Sequence, residues 1–149
     1  MRRFLLGLAL LLAQLGPAGS LLAAEEQAVV LIVRADSSVD GLDSLTVRKL
    51  FMGWPVLING ALLHPIRNRS DSQLDEIFLQ QVVAVSQSTY ERQMLVGLNR
   101  RGSIRPSEVS SEERVLEYLY DDPNAVSFAW LRDVAHNPRV RVIRVLWSY

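Results

Sequence analysis

Arg67, Asn68, Arg69, Ser70 and Ser72 crowd two guanidinium groups and two hydroxyls into six consecutive positions. Guanidinium groups hold oxyanions through paired N–H donors, and hydroxyls add single bonds. The residues that follow must position them. Leu74, Ile77, Phe78, Gln81 (polar, but on the same face), Val82 and Val85 recur at the helical period, which predicts a helix with one buried face. Ser72 stands three residues before Asp75, as in a capping box, so the helix is predicted to begin there. Amides of a first helical turn lack intrahelical acceptors, and the helix dipole adds partial positive charge at the same place. A small oxyanion is what such a cluster can hold. These five residues are therefore the candidate ligand-binding set. A plainer account competes with it: Ser72 only caps the helix, and the arginines are solvated or paired with Asp71 and Asp75.

The elements around this stretch alternate between strand and helix. Residues 28–33, Ala-Val-Val-Leu-Ile-Val, form an apolar run rich in β-branched residues, expected as a strand buried on both faces in a parallel sheet. The polar loop after it carries Ser37 and Ser38, secondary candidates because open α/β sheets place ligands beyond the carboxyl ends of their strands. Asp43 or Ser44 can cap a short helix burying Val47, Leu50 and Phe51 and closed by Gly53. Asn59-Gly60 between short apolar runs predicts a hairpin turn. Two more Ser-x-x-Glu signatures, Ser88 to Glu91 and Ser110 to Glu113, precede helices, the first with a stripe of Tyr90, Met94, Leu95 and Leu98. Residues 99–106 read as an arginine-bearing loop, residues 125–130 as a strand, and residues 140–146 as a half-exposed edge strand. The class is α/β with a mixed sheet.

Composition narrows the function. Basic and acidic residues balance at 16 each, and without Arg2 and Arg3 the count is 14 against 16, which argues against nucleic-acid binding. There is no cysteine, so thiolate chemistry and cysteine-ligated metal are excluded. His64 and His136 are the two histidines, and their spacing suits no metal site. No nucleophile has a base beside it, and neither a P-loop nor a dinucleotide fingerprint occurs. The reading is a protein without catalytic residues, cofactor or metal. At the amino terminus Met1-Arg2-Arg3 precedes an apolar run over residues 4–15, then Gly16-Pro17 and small residues. That order predicts a secretory signal peptide over residues 1–24, cleaved after Ala24 to leave a domain of residues 25–149 and an exported, periplasmic location. One compact domain fits that length.

Three segments resemble those of PstS-type phosphate-binding proteins of ABC transport. The helix from Leu42 through Leu50-Phe51-Met52-Gly53 to Trp54 resembles their leucine-helix-Ile-Phe-Leu-Gly segment. Pro65-Ile66-Arg67-Asn68-Arg69-Ser70-Asp71-Ser72, with Phe78, is similar to their arginine-to-serine anion loop and its helix. Asp122-Pro123-Asn124-Ala125-Val126-Ser127-Phe128 is similar to their Pro-Gly-Ala-Ile-Gly-Tyr strand. The resemblance implies a single lobe of periplasmic-binding-protein type, with a mixed, mostly parallel sheet flanked by helices. It also implies a small inorganic oxyanion as ligand, with Ser72 on the anion serine and the arginine position at Asn68, between Arg67 and Arg69. An ABC permease or a membrane sensor or receptor would be the partner, and two copies pairing would rebuild a cleft. This chain departs from the pattern at Gln73-Leu74, where the family has Gly-Thr, and at Ser127, where it has glycine. The clamping second lobe has no counterpart, so the same lobe could instead serve as an envelope interaction or signalling module.

Overall fold

The computed structural model describes residues 27–100 and 102–149; the expected signal peptide lies outside them. Five strands form one mixed sheet in the order β5-β4-β6-β1-β7: β1 (Val29–Arg34), β4 (His64–Asn68), β5 (Ser107–Val109), β6 (Ala125–Trp130) and β7 (Val140–Trp147). β4 is parallel to β5 and β6, whereas β1 is antiparallel to both β6 and β7. Four strands thus point one way and β1 alone runs against them. The hairpin of β2 (Leu57–Ile58) and β3 (Ala61–Leu62) stands apart, turning through Asn59 and Gly60 at φ of 51° and 78°.

Alternation along the strands feeds two cores. Val29, Leu31 and Val33 of β1 and Val126, Phe128 and Trp130 of β6 face α1 (Ser44–Phe51), α2 (Ser72–Ile77) and α3 (Gln87–Gly97). Val30, Ile32, Ala125 and Ala129 face α4 (Glu112–Asp121) and the short α5 (Leu131–Val134). Phe51, Phe78 and Phe128 meet at the centre of the first core, with Phe78 and Phe128 stacked at 4.5 Å and Phe51 edge-on to both. The sheet is therefore covered by helices on both faces. Buried Ser127 donates to the Ile66 carbonyl at 2.8 Å and stitches β6 to β4.

Several expectations need correction. β1 is buried on both faces as expected, but its neighbours run antiparallel to it; a continuous apolar run reports burial and not direction. The central helix changes at Phe78 into a π-helical segment (Phe78–Val83), ended by Ala84 in the left-handed region at φ 54°. The wider turn rotates the buried face, so Val83 is buried and Gln81 is exposed. Leu95 and Leu98 do not join the stripe of α3; they are 61% and 58% exposed. The helix caps are Asp71 and Ser86, one and two residues before the serines of the capping-box patterns, and Ser111, one residue after, although Asp43 does cap α1. His64 opens β4, with its Nδ1 against the Asp122 carboxylate.

Two features matter for the surface. Arg141 of edge strand β7 reaches the carbonyls of Ser37 and Val39 at 2.8 Å each, and Arg144 reaches the Leu42 carbonyl at 3.1 Å, strapping the loop after β1 to the sheet edge. Among the described residues no helix is long and apolar enough to cross a membrane.

Candidate functional site

From β4 the chain passes through α2 and α3 on one face to β5, then through α4 on the other face to β6. Where successive connections part to opposite faces beyond parallel strand ends, an α/β sheet leaves a crevice. Here the crevice is a polar recess of about 300 Å³. Asn68, Ser70 and Asp71 border it from the β4–α2 turn, Ser110, Ser111 and Glu112 from the start of α4, and Arg132 and Asp133 from α5. The amino-terminal turns of two helices thus meet at its walls. Trp130 also borders it, and its buried indole N–H has no acceptor among the described residues.

Arg67 and Arg69 are brought together, but their positive charge is answered internally. The Arg67 side chain is fully buried, running under α2 toward the rings of Phe78 and Tyr90, whose centroids lie 5.4 and 4.7 Å from Cζ. Its Nε and Nη2 donate to the two oxygens of Asp75 at 2.8 and 2.9 Å, Nη2 also donates to Gln87 at 2.7 Å, and Nη1 to Glu108 at 3.3 Å. Arg69, 40% exposed, shares the same two carboxylates: Nη1 is 3.1 Å from Glu108 and Nε 3.4 Å from Asp75. Two cations therefore face two anions. Of the pairings expected in the plainer account, the one with Asp75 is present and the one with Asp71 is not.

The remaining candidates divide by position. Asn68 is buried, donates to the Phe128 carbonyl at 2.9 Å, and accepts both the amide and the hydroxyl of Ser70 at 3.0 and 2.6 Å. It shapes the turn that brings Ser70 to the recess. Ser72 is exposed at the first position of α2; the cap is Asp71, which accepts the Leu74 amide at 2.8 Å. The amides of Leu74 and Asp75 are thereby taken, whereas those of Ser72 and Gln73 have no acceptor among the described residues. Ser37 and Ser38 lie at the other end of the sheet, because β1 runs antiparallel to β6 and its carboxyl end sits beside the start of β6. Ser37 is buried there, donating to the Pro123 carbonyl at 2.6 Å.

Glu108, Gln87, Arg132 and Asp133 belong to this neighbourhood and had no signal in the sequence. The capping pattern at residues 110–113 marks Ser111 and Glu112 as a helix start, but nothing local shows that this start meets that of α2. Burial first, and then the Asp133 carboxylate, hold the Glu112 carboxyl above its ordinary range. Against one arginine the recess sets three carboxyls, Asp71, Glu112 and Asp133. Among the described residues no three His, Cys, Asp or Glu side chains gather to hold a metal.

No protein-family model and no curated protein sequence matches the chain. Solved structures do. PstS from Borrelia burgdorferi aligns over 82% of this chain and 48% of its own, with a TM-score of 0.55 at 15% identity. A protein described as a phosphate ABC transporter substrate-binding protein, with bound phosphate, from Clostridium perfringens aligns over 78% and 44%, with a TM-score of 0.56 at 13% identity. A protein described as phosphate-binding from Planctomyces limnophilus aligns over 78% and 40%, with a TM-score of 0.55 at 11% identity. The chain spans less than half the length of each. It has the α/β fold of part of a substrate-binding protein of the PstS type.

Proposed function

We propose that the chain is an exported lobe of solute-binding type that takes a small oxyanion, phosphate before sulfate, in the recess beyond β4 and β6. One observation carries this reading: the first turns of α2 and α4 converge there with the Ser70 and Ser111 hydroxyls and Arg132. Trp130, whose buried indole N–H lacks an acceptor among the described residues, borders the same recess. Ser70 and Ser72 are the ligand residues of this proposal, with Arg69 beside them and Asn68 and Arg67 holding the turn in place. The carboxyls narrow the choice. Phosphate carries a proton it can donate to Asp71, Glu112 or Asp133, whereas sulfate offers these groups only repulsion. Bound phosphate in one structural neighbour, itself described as an ABC transporter substrate-binding protein, supports the ligand class and an ABC permease as partner, with a membrane sensor as the alternative.

Titration calorimetry with phosphate and sulfate at low salt tests it. Heat is expected with phosphate, weaker heat with sulfate, and loss of both in a Ser70→Ala/Arg132→Ala variant. Equal heats, or heat unchanged in that variant, count against the recess.

A second reading, an envelope interaction or signalling module with no working ligand site, is favoured by the neutralised arginines. With Arg67 and Arg69 balanced by Asp75 and Glu108, little field remains to draw an anion from water. A complete absence of phosphate heat selects it.

A further inference from the structure

The outer faces of α1 and α3 leave a groove of about 560 Å³ on the helical side that covers the first core. Leu45 and Val96 line it, 61% and 67% exposed, and Trp54 closes one end at 50%. Around this apolar floor stand Arg48, Lys49, Arg92 and Arg100, with no carboxylate in the lining. None of the four forms an ion pair among the described residues, in a chain with 16 basic and 16 acidic residues. The α1 dipole accounts for Arg48 and Lys49 in its last turn. It does not account for Arg92 or Arg100.

Arg100 is held in place by construction. The loop after α3 docks on Gly53, whose carbonyl accepts the Ile104 amide at 3.0 Å and the Ser103 hydroxyl at 3.2 Å. Gly97 leaves room for the guanidinium, since a Cβ there would stand 2.9 Å from Arg100 Nη2. Arg100 then lies over the Trp54 ring at 4.0 Å, with Nε buried and lacking an acceptor.

We infer that this groove docks an acidic amphipathic helix of a partner protein, its apolar stripe between α1 and α3 and its Asp and Glu residues against the four cations. The charge complement decides the occupant. A recess between two helices suits an i, i+3, i+4, i+7 stripe, whereas a bilayer surface would bridge it and leave the floor empty. The inference deepens the interaction reading and is independent of the phosphate recess, because groove and recess share no lining residue. Calorimetry with phosphate therefore reports on the recess alone.

The test uses the whole chain and a fluorescein-labelled helical 15-residue peptide with Leu at the stripe positions and Glu between them, followed by anisotropy. Saturable binding is expected, weakening about tenfold when salt is raised from ~0.05 to ~0.5 M as the charges are screened. An Arg48→Glu/Arg92→Glu variant, both positions exposed, should keep its circular dichroism spectrum and lose at least about tenfold in affinity. The proposal is overturned if the acidic peptide does not bind, if a peptide with Lys in place of Glu binds as well, or if the charge-reversed variant binds undiminished. Sedimentation of the chain with phosphatidylglycerol vesicles in the absence of peptide binding assigns the groove to a membrane and overturns it too.

Discussion

Asp75 grips Arg67 side-on, each carboxylate oxygen accepting one guanidinium N–H within 2.9 Å, and the Arg67 side chain retains no exposure at all. The pair joins β4 to α2, while Gln87 and Glu108 extend the same guanidinium to α3 and β5. Four elements are pinned at one charge.

Removing that charge strands its partners in a poorly solvated place. Arg67→Met is expected to destabilise the chain by about 3 kcal/mol, because Asp75 and Glu108 are left with Arg69 alone. Arg67→Met combined with Asp75→Leu should recover much of the loss, since two matched apolar groups replace a broken ion pair. Urea unfolding of the two variants checks both. A single substitution costing less than about 0.5 kcal/mol would mean that Arg67 is not the pin described here.

Tyr90 supports the same centre from the other side, donating its hydroxyl to the Phe51 carbonyl at 2.8 Å. Tyr90→Phe leaves that buried carbonyl unpaired and should cost about 1–2 kcal/mol in urea unfolding. Burial, only partly offset by the Arg67 charge, pushes the Tyr90 hydroxyl far above its ordinary range. The unfolded chain therefore loses this proton at about pH 10 while the folded chain keeps it. Stability from this group is complete below about pH 10 and falls as pH rises further. Phenolate absorbance should show Tyr90 ionising only as the chain unfolds, and Tyr90→Phe should shed that step.

The cap of α2 separates two adjacent residues. Asp71→Ala should cost about 1 kcal/mol, because the Leu74 amide loses its acceptor. Ser72→Ala should lie within about 0.5 kcal/mol of the parent, as an exposed first-turn residue that caps nothing. Thermal unfolding of the two variants distinguishes them. Both positions also bear on function, since Ser72 is a proposed phosphate ligand and Asp71 a proposed acceptor of the phosphate proton.

At Ala84 the π-helical segment ends with a non-glycine residue at φ 54°. Glycine adopts this conformation without the Cβ clash, so Ala84→Gly should stabilise by up to about 1 kcal/mol. Denaturant midpoints decide it; a loss of stability would show that flexibility gained by the unfolded chain outweighs the strain relieved.

Local features were the legible ones. The Asn59-Gly60 turn, the Asp43 cap, strands 125–130 and 140–146 and the class of the fold follow from residue types a few positions apart. Helix starts were found to within two residues, because Asp71, Ser86 and Ser111 compete with neighbouring serines for the same amides. Long-range facts were not legible. The direction of β1, which moves Ser37 and Ser38 away from Ser70, is invisible in a run buried on both faces. The three-residue β5 is too short for a pattern, yet it supplies Glu108, the carboxylate shared by Arg67 and Arg69. Pairing of the arginines with Asp75 was readable as an alternative from sequence spacing alone. The meeting of α2 and α4 at one recess was not.

The straps from Arg141 and Arg144 bear on how the molecule behaves in a crowd. β7 is the long edge of the sheet, eight residues of valine, isoleucine, leucine and tryptophan interrupted by two arginines, and such an edge invites a twin. An antiparallel twin centred between residues 142 and 143 would set each Arg141 opposite its neighbour's Arg144, so repulsion meets the copy before backbone pairing can reward it. The side chains that fasten the loop after β1 would thus also work against fibre growth from the edge they guard, Arg144 more than Arg141, whose charge Asp40 already meets.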